Sequence, residues 1–545
     1  MEVLHPSVRA RLASLSPDQH AAATAPRGPV LCVAPAGSGK TTTLVARVAW
    51  LVDGGVAPSA MCALTFNRRA AEELSRRVDQ AVGGLGIAPG TIRVRTFHAL
   101  GREILRSSGV DVERLVDRAE IVRQLLGGRV AAGTIRRCDD SFSRWKLDPA
   151  ANKTIDAAGT TEDPRIRLLF QRYQAELADT GALDFDDLVA GSLALLRADP
   201  ELRSRWRAAS GSLLVDEVQD LDRSQLELAL CLAGPEADLF LVGDDDQTIY
   251  AWRLADVRRV LDLAARLPGL ARHDLVTNRR CPPEVVRRAA RLVGHNRERF
   301  AKRIEPSVSA QGFVRLAADP GDEVCRARQL LRTWLVAGPG GHAILARTNA
   351  ALAPYAAVAI ERDITYRAAD DGLVLDDPAI DELISAAAGL ASKAPAIPFL
   401  ACLAQAVRAA PGGPAVGRSV LAWAAAYPSA DAFRAAIVFA RNARARSTAG
   451  DGDAAVVLAT AHATKGLEWD HVACIGHDDG VFPSTRSMVE ADDPARALEE
   501  ERRLAYVAWT RAKRSLTLVY DPDAPSIFMR EAFDPLELAP PSRSA

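Results

Sequence analysis

Along the first half of the chain, short apolar runs are each followed at once by a polar motif. PVLCVA (29–34) leads into PAGSGKT, MCAL (61–64) into TFNRRAAEEL, and TIRV (91–94) into RTFHAL. SLLV (212–215) precedes DEVQD, and LFLV (239–242) precedes GDDDQ. Unbroken apolar runs of this length suit strands covered on both faces. After PAGSGKT, apolar residues recur at Leu44, Val45, Val48, Ala49 and Val52, which is helical spacing. Strand, polar loop, helix, repeated in this way, predicts a parallel α/β sheet with ligands gathered at the carboxyl ends of its strands.

The pattern returns in weaker form downstream. DLVT (274–277) precedes NRR, and HAILA (342–346) precedes RTNAAL. AAVVLA (454–459) precedes TAHATKGLEW, and HVACIG (471–476) and SLTLVY (515–520) complete a second strand set. The fold class read from this is α/β in two lobes. The first lobe covers 1–105 and 184–275, interrupted by a mostly helical insertion at 106–183. The second covers 276–390 and 454–545, interrupted at 391–453 by an alanine-, proline- and glycine-rich stretch with few strand signals.

Composition changes this picture little. At 545 residues the chain is long enough for several domains, and 48% hydrophobic with 25% charged residues is globular. The formal net charge of −1 does not announce a polyanion binder, so any such site must be a local basic surface. Only seven of the 68 basic residues are lysines, and Lys40, Lys465 and Lys513 fall inside motifs. The eight cysteines are dispersed without a CxxC pair, which argues against a zinc or iron–sulfur site and fits a reducing, cytoplasmic setting. The N-terminal stretch does not read as a signal peptide, and no apolar run is long enough for a membrane span.

The motifs carry the chemistry. APAGSGKT (34–41), between a strand and a helix, is a phosphate-binding loop. Its backbone N–H groups and the following helix N-terminus suit phosphate oxygens, Lys40 reaches the β- and γ-phosphates, and Thr41 offers a hydroxyl to Mg²⁺. The nucleotide-binding stretch is Ala34, Pro35, Ala36, Gly37, Ser38, Gly39, Lys40, Thr41 and Thr42, with Ala34 where a glycine is usual. In DEVQD, Asp216 would hold the metal shell and Glu217 would orient or deprotonate the attacking water. Alone, an acidic pair after a strand is a solvated turn; beside a phosphate loop it becomes a hydrolytic site. Gln19, in LSPDQ upstream of the loop, could read adenine through its amide.

The ordered series LSPDQ, APAGSGKT, LTFNRRAAEEL, RTFHALG, LDFDDL, LLVDEVQD, VGDDDQTIYAWR, NRR, TAHATKGLEW and EERRLAYVAWTRAKRSL resembles the superfamily 1 DNA helicases of the UvrD/Rep type. The resemblance runs through almost the whole chain. It implies two RecA-like P-loop lobes with helical insertions, ATP and Mg²⁺ as cofactors, and single-stranded DNA across the top of the lobes. It implies that Gln247 senses the γ-phosphate, that Arg280 and Arg511 reach it from the second lobe, and that Glu468 in KGLE contacts the ribose. GDDDQ would then face ATP, while Tyr250, Trp252 and Arg253 would face DNA, with Phe66, Asn67, Phe97 and His98 as further strand contacts.

This sequence departs from the family in three places. NRR (278–280) puts Arg279 where an aromatic ring normally stacks on adenine, a role a guanidinium plane can also fill. The insertion at 391–453 is much reduced. The chain stops soon after TRAKRSLTLVYD, which is read as lacking a C-terminal partner-binding extension or a fused nuclease. The expectation is a monomeric, ATP-hydrolysing 3′–5′ helicase of DNA repair or recombination, acting on single-stranded and partly duplex DNA and not at a membrane. A translocase that strips proteins from single strands and a catalytically silent nucleic-acid scaffold are the alternatives. A generic P-loop kinase would need neither KGLE nor Tyr-Ala-Trp-Arg.

Overall fold

The computed structural model describes residues 4–128, 130–148, 163–234, 238–308, 310–336, 341–362, 364–368, 378–410, 420–421, 423–447 and 455–538. The chain forms two compact units, Met1–Thr277 with Glu298–Arg303, and Asn278–Arg297 with Ile304–Ala545. The fold class is α/β, with a parallel sheet in each unit.

The first unit is built on β1 (Pro29–Val33), β2 (Met61–Thr65), β3 (Arg93–Thr96), β4 (Ser212–Val215), β5 (Asp238–Gly243) and β6 (Ala271–Asp274), in the order β3-β2-β4-β5-β1-β6. All five pairings are parallel. Every residue of β2, β4 and β5 is buried, which is why their sequences read as continuous apolar runs. Side chains alternate between two cores. Val30, Cys32, Ala63 and Leu214 pack with Leu44, Val45 and Leu74 of helices Lys40–Asp53 and Arg68–Val82. Leu31, Val33, Leu64 and Val215 pack with Phe97, Val189 and Leu228 of helices Phe97–Ser107, Phe185–Ala198 and Arg223–Ala233.

Two strand expectations in this unit shift. TIRV is displaced two residues, since β3 begins at Arg93. DLVT is not a strand as a whole; β6 is Ala-Arg-His-Asp and only Asp274 belongs to both. An edge strand beside β1 alone buries little of itself, so it carries no apolar run. The apolar signal came from Leu275, buried just beyond the strand, whose N–H donates to Val33 O at 2.8 Å.

Helices Arg118–Leu125, Ala132–Leu147 and Pro164–Thr180 bury Phe142, Trp145, Leu169 and Tyr173 in a core of their own. Asp184 ties this core to the unit. It accepts from Arg118 (2.8 Å), Lys146 (2.8 Å) and Tyr173 (2.6 Å), while its other oxygen accepts from Asp187 N–H at the start of the next helix. Burial pushes the Asp184 carboxyl up, but Arg118 and Lys146 outweigh it and hold it well below its ordinary value.

A separate ladder joins β7 (Thr277–Asn278) and β8 (Glu305–Pro306). The second unit has β9 (Phe313–Ala318), β10 (His342–Ala346), β11 (Tyr366–Ala368), β12 (Val456–Thr460), β13 (Trp469–Cys474) and β14 (Ala512–Tyr520). Their order is β11-β12-β10-β13-β14-β9, all parallel. The central strands coincide with HAILA, AAVVLA, HVACIG and SLTLVY within a few residues. The edges β9 and β11, only partly buried, have no counterpart among the apolar runs. Beside this sheet, helices Pro378–Lys393, Phe399–Ala409 and Ala430–Ser447 share a core containing Ile384, Leu403 and Phe433, which starts before residue 391. Among the described residues no helix is long and apolar enough to cross a membrane.

Candidate nucleotide and nucleic-acid sites

At the carboxyl end of β1 the loop turns through Gly37 (φ +69°) and Gly39 (φ +87°) into helix Lys40–Asp53, with Gly39 as its N-cap. Glycine is required at 39 twice over. Its φ is left-handed, and a Cβ there would lie 2.4 Å from Gln19 Nε2. Gln19 Nε2 donates to Ser38 O at 2.7 Å and Gln19 Oε1 accepts from Ser16 N–H at 3.1 Å, so this side chain braces the loop. An amide has two donors and two lone pairs, so these bonds do not exhaust it. Ser38 closes the turn on Pro35 O at 2.7 Å. Lys40 Nζ stands 3.5 Å from Ala34 O and 3.9 Å from Glu217 Oε1. Arg77 Nη2 donates to Thr42 Oγ1 at 3.0 Å, a cation the sequence reading did not single out although it lies in the helix that follows TFN.

Asp216 continues β4, its N–H bonded to Leu64 O at 2.8 Å. Glu217 then adopts φ +54°, ψ +44°, a left-handed conformation rare for a residue with a Cβ and a marker of functional turns. The conformation is held from several sides. Glu217 N–H donates to Asp216 Oδ1 at 3.0 Å, and Gln219 Nε2 donates to Glu217 Oε2. Gln219 Oε1 accepts from Asp244 N–H at 3.0 Å, and a Cβ on Gly243 would come within 2.3 Å of that oxygen. Asp244 Oδ2 accepts from Gln247 Nε2 at 2.7 Å. Glu217, Gln219, Asp244 and Gln247 therefore form one hydrogen-bonded chain across the ends of β4 and β5. A threonine hydroxyl at the helix start and a carboxylate at a strand end are hard oxygen donors, the kind a Mg²⁺ ion takes alongside phosphate and water.

The three acids of GDDDQ do not behave as the sequence suggested. Asp244, Asp245 and Asp246 are buried and engaged by Glu298–Arg303, the segment that returns to this unit. Lys302 Nζ lies 2.7 Å from Asp244 Oδ1 and 2.9 Å from Asp246 Oδ2, and also bonds Asp245. Arg299 grips Asp246 with two bonds of 2.9 and 2.7 Å, and Phe300 N–H donates to Asp245 Oδ2 at 2.8 Å. Burial pushes the Lys302 ammonium down, but the three carboxylates outweigh it and hold it well above its ordinary value. The expectation that this whole stretch faces ATP is corrected: its carboxylates are internal, because buried charge persists only where it is paired.

Beyond Gln247 the chain carries an aromatic surface. Phe66 and Tyr250 stack at 5.2 Å and 12°, and Trp252 meets Tyr250 edge-on at 6.1 Å. The Arg253 guanidinium lies 4.6 Å from the Trp252 ring centre and 5.9 Å from that of Phe66. Trp252 is 59% exposed. Nearby, His98 stacks on Phe185 at 3.9 Å and 19°, and Phe185 is likewise 59% exposed. Burial outweighs the nearby Asp186 carboxylate and, with a smaller push from the Arg253 charge, brings the His98 imidazole down to about 4, so it is a neutral, stackable ring at pH 7. Phe97 corrects the expectation of a strand contact. At 1% exposure it belongs to the core beneath β1, β2 and β4, since neighbours on a helix point about 100° apart and His98 takes the outward position. Asn67 is exposed and caps its helix through Ala70 N–H at 2.9 Å. Phe185 was missed, although it sits in plain view within LDFDDL.

In the second unit Arg280, Arg511 and Glu468 come together. Arg280 Nε donates to Glu468 Oε2 at 2.6 Å and Nη1 to Thr510 O at 3.3 Å. Lys513 Nζ is 3.9 Å from Glu468 Oε1. Arg511 is 2% exposed, with Nε on Val507 O at 2.9 Å and Nη1 on Leu467 O at 3.2 Å. Arg279 is exposed.

Comparison with known proteins agrees with this layout. A family model described as the UvrD/REP helicase N-terminal domain matches residues 15–268, and one described as the UvrD-like helicase C-terminal domain matches 437–522. The chain is 30% identical over 563 residues to the ATP-dependent DNA helicase UvrD2 of Mycobacterium tuberculosis (strain ATCC 25618 / H37Rv), covering 93% of this chain and 78% of that one. It is 27% identical over 616 residues to DNA helicase II of Escherichia coli (strain K12), covering 93% and 84%. It is 33% identical over 302 residues to the ATP-dependent DNA helicase Rep of the same organism, covering 53% and 45%.

Proposed function

The chain belongs to the UvrD/Rep-type superfamily 1 helicases, and from that premise we propose that it hydrolyses ATP to move 3′ to 5′ along single-stranded DNA, opening duplex in repair or recombination. The observation that carries the reading is the continuity of one segment. Gln247 is hydrogen-bonded into the chain that ends on Glu217, and three residues later Tyr250 begins the aromatic surface. A change in γ-phosphate contact at Gln247 is thereby a change in the support of the rings.

In this reading the phosphates lie on the 34–39 loop and the N-terminus of helix Lys40–Asp53, with Lys40 on the β- and γ-oxygens. Thr41 and Asp216 would hold a Mg²⁺, which when bound would neutralise phosphate charge. Glu217 orients and deprotonates the attacking water, and Gln247 contacts the γ-phosphate. Arg280 and Arg511 are assigned the γ-phosphate, Arg279 the adenine face and Glu468 the ribose, so Arg280 exchanges Glu468 for a phosphate oxygen during turnover. Trp252, Tyr250, Phe66 and His98 hold successive bases by stacking, which is indifferent to sequence. The protein is proposed to work as a cytoplasmic monomer.

ATP hydrolysis with and without single-stranded DNA, for the intact chain and Glu217→Gln, tests the motor. Strong stimulation by DNA, reduced at least about 100-fold by the substitution, is the expected result. DNA binding without hydrolysis in either protein would leave only a scaffold. Strand separation of 3′-tailed against 5′-tailed duplexes then reads polarity, and translocation without separation identifies a strand-clearing motor.

A further inference from the structure

The acidic stretch of GDDDQ and the segment that returns to cover it form a built device with no role yet assigned. Lys302 has a fully buried side chain, as do Asp244, Asp245 and Asp246. It touches all three carboxylates. A lysine here is itself informative, because only seven of the chain's 68 basic residues are lysines. A compact ammonium can meet three carboxylates converging from different directions, whereas a planar guanidinium presents its donors in one plane and suits a carboxylate gripped by two parallel bonds. Arg299 does the latter, on Asp246 alone.

Buried ion clusters are often poorer stabilisers than apolar packing of the same volume, and what a cluster can add is a fixed geometry. Here that geometry leads to the reacting groups. Asp244 is held at both ends, Oδ1 by Lys302 at 2.7 Å and Oδ2 by Gln247 Nε2 at 2.7 Å. Its backbone N–H reaches Gln219 Oε1 at 3.0 Å, and Gln219 donates onward to Glu217 Oε2. With Lys302 in place the Asp244 carboxylate cannot rotate without losing a bond in the buried interior. Without it, Asp244 Oδ1 keeps the Asp246 N–H at 3.2 Å but loses its shorter, charged partner, and the hold on the carboxylate that orients Gln247 weakens.

We infer that Lys302 is a positioning residue for ATP hydrolysis, acting through Asp244 to orient Gln247 and, by way of Gln219, Glu217. The inference deepens the proposed function and rests on the roles given there to Gln247 and Glu217. It also gives the returning segment a purpose. The chain leaves the first unit after Thr277, runs through Arg280 and the helix Pro283–Val293, and comes back as Glu298–Arg303 to set the support of Gln247. Covalent continuity thus joins a γ-phosphate arginine to the brace of the γ-phosphate glutamine.

The test is a double-mutant cycle on the full chain, with kcat and KM for ATP measured at saturating single-stranded DNA for Lys302→Arg, Gln247→Ala and both together. Lys302→Arg keeps the charge and disturbs the fit. It is expected to lower kcat about 10- to 100-fold, as a displacement of about 1 Å at a reacting group does, with KM for ATP changed less than about threefold. In the Gln247→Ala background the same substitution is expected to cost several-fold less than in the parent, because one of its two targets is gone and only the route through Gln219 to Glu217 is left. A purely structural role predicts independent effects that multiply, and that result overturns the inference, as does an unchanged kcat for Lys302→Arg alone. Should Lys302→Arg melt below the assay temperature, Asp244→Asn enters the cycle in its place, with the same two outcomes. If Gln247→Ala by itself leaves kcat intact while Lys302→Arg lowers it, the role proposed for Gln247 fails and this inference with it. If Gln247→Ala lowers kcat and the effects multiply, only the inference fails.

Discussion

Trp252 shows how a single residue acquires a role from its surroundings. A tryptophan of the core would be covered; this one is 59% exposed, with Arg253 4.6 Å from its ring centre and Tyr250 against its edge. The rigid face that results can take any base. Trp252→Ala is expected to weaken single-stranded DNA binding by about 1–3 kcal/mol, roughly 5- to 150-fold, with little dependence on sequence. Fluorescence titration of mixed-sequence and homopolymer strands checks it, and a loss confined to one base would contradict stacking. Position 97 makes the opposite point. Phe97 and His98 are adjacent and both aromatic, and the TFH pattern does not say which faces outward. Only the packing of Phe97 under β1, β2 and β4 decides it.

Among the elements, helices Phe97–Ser107 and Phe185–Ala198 approach so closely that a Cβ on Gly101 would lie 2.1 Å from Leu188 O and 2.8 Å from its carbon. Backbone cannot give way as a flexible side chain can. Gly101→Ala is therefore expected to destabilise the first unit by about 1–3 kcal/mol or more, despite alanine's better helix propensity. It should also displace Phe185 relative to His98, since each ring rides on one of the two helices. Thermal unfolding checks the first effect and DNA affinity the second; an alanine variant as stable as the parent would refute the close contact. The strands follow a similar logic. β2, β4, β5, β10 and β12 were legible because both of their faces are covered, whereas β6, β9 and β11 are edges whose half-exposed residues make no apolar run.

Across the whole molecule, both units contain imidazoles that burial keeps neutral. His98 is pushed down to about 4, His462 to about 4, with Arg347 adding to the effect of burial, and His477 to about 3 by burial alone. Trp509 Nε1, which can only donate, bonds His477 Nε2 at 3.1 Å, so protonation of that nitrogen breaks the contact. Each folded-state value lies below the unfolded one near 6.5. The folded state is accordingly favoured above about pH 6.5 and loses stability as the pH falls towards the folded values. Between pH 7 and pH 5 each such histidine is expected to cost about 2 kcal/mol. Melting temperatures should fall over this range, and less so for His477→Gln. Equal slopes for the two proteins would show that His477 does not titrate in this way.

The sequence by itself determined what depends on neighbours in the chain: the strand–loop–helix unit around Lys40, the doubly covered strands, and the order of motifs that identifies the family. These are visible because periodicity, turn chemistry and motif spacing act over a few residues. The tertiary structure decided what depends on distant partners. Lys302 and Asp244 are 58 positions apart, and no local pattern marks either as the other's counter-ion. For that reason GDDDQ reads as a row of acids facing a nucleotide, while folding buries the acids around an ammonium and leaves Trp252, further along the same segment, exposed. Burying a charge demands a partner, and which partner is available is settled only when segments far apart in sequence come together.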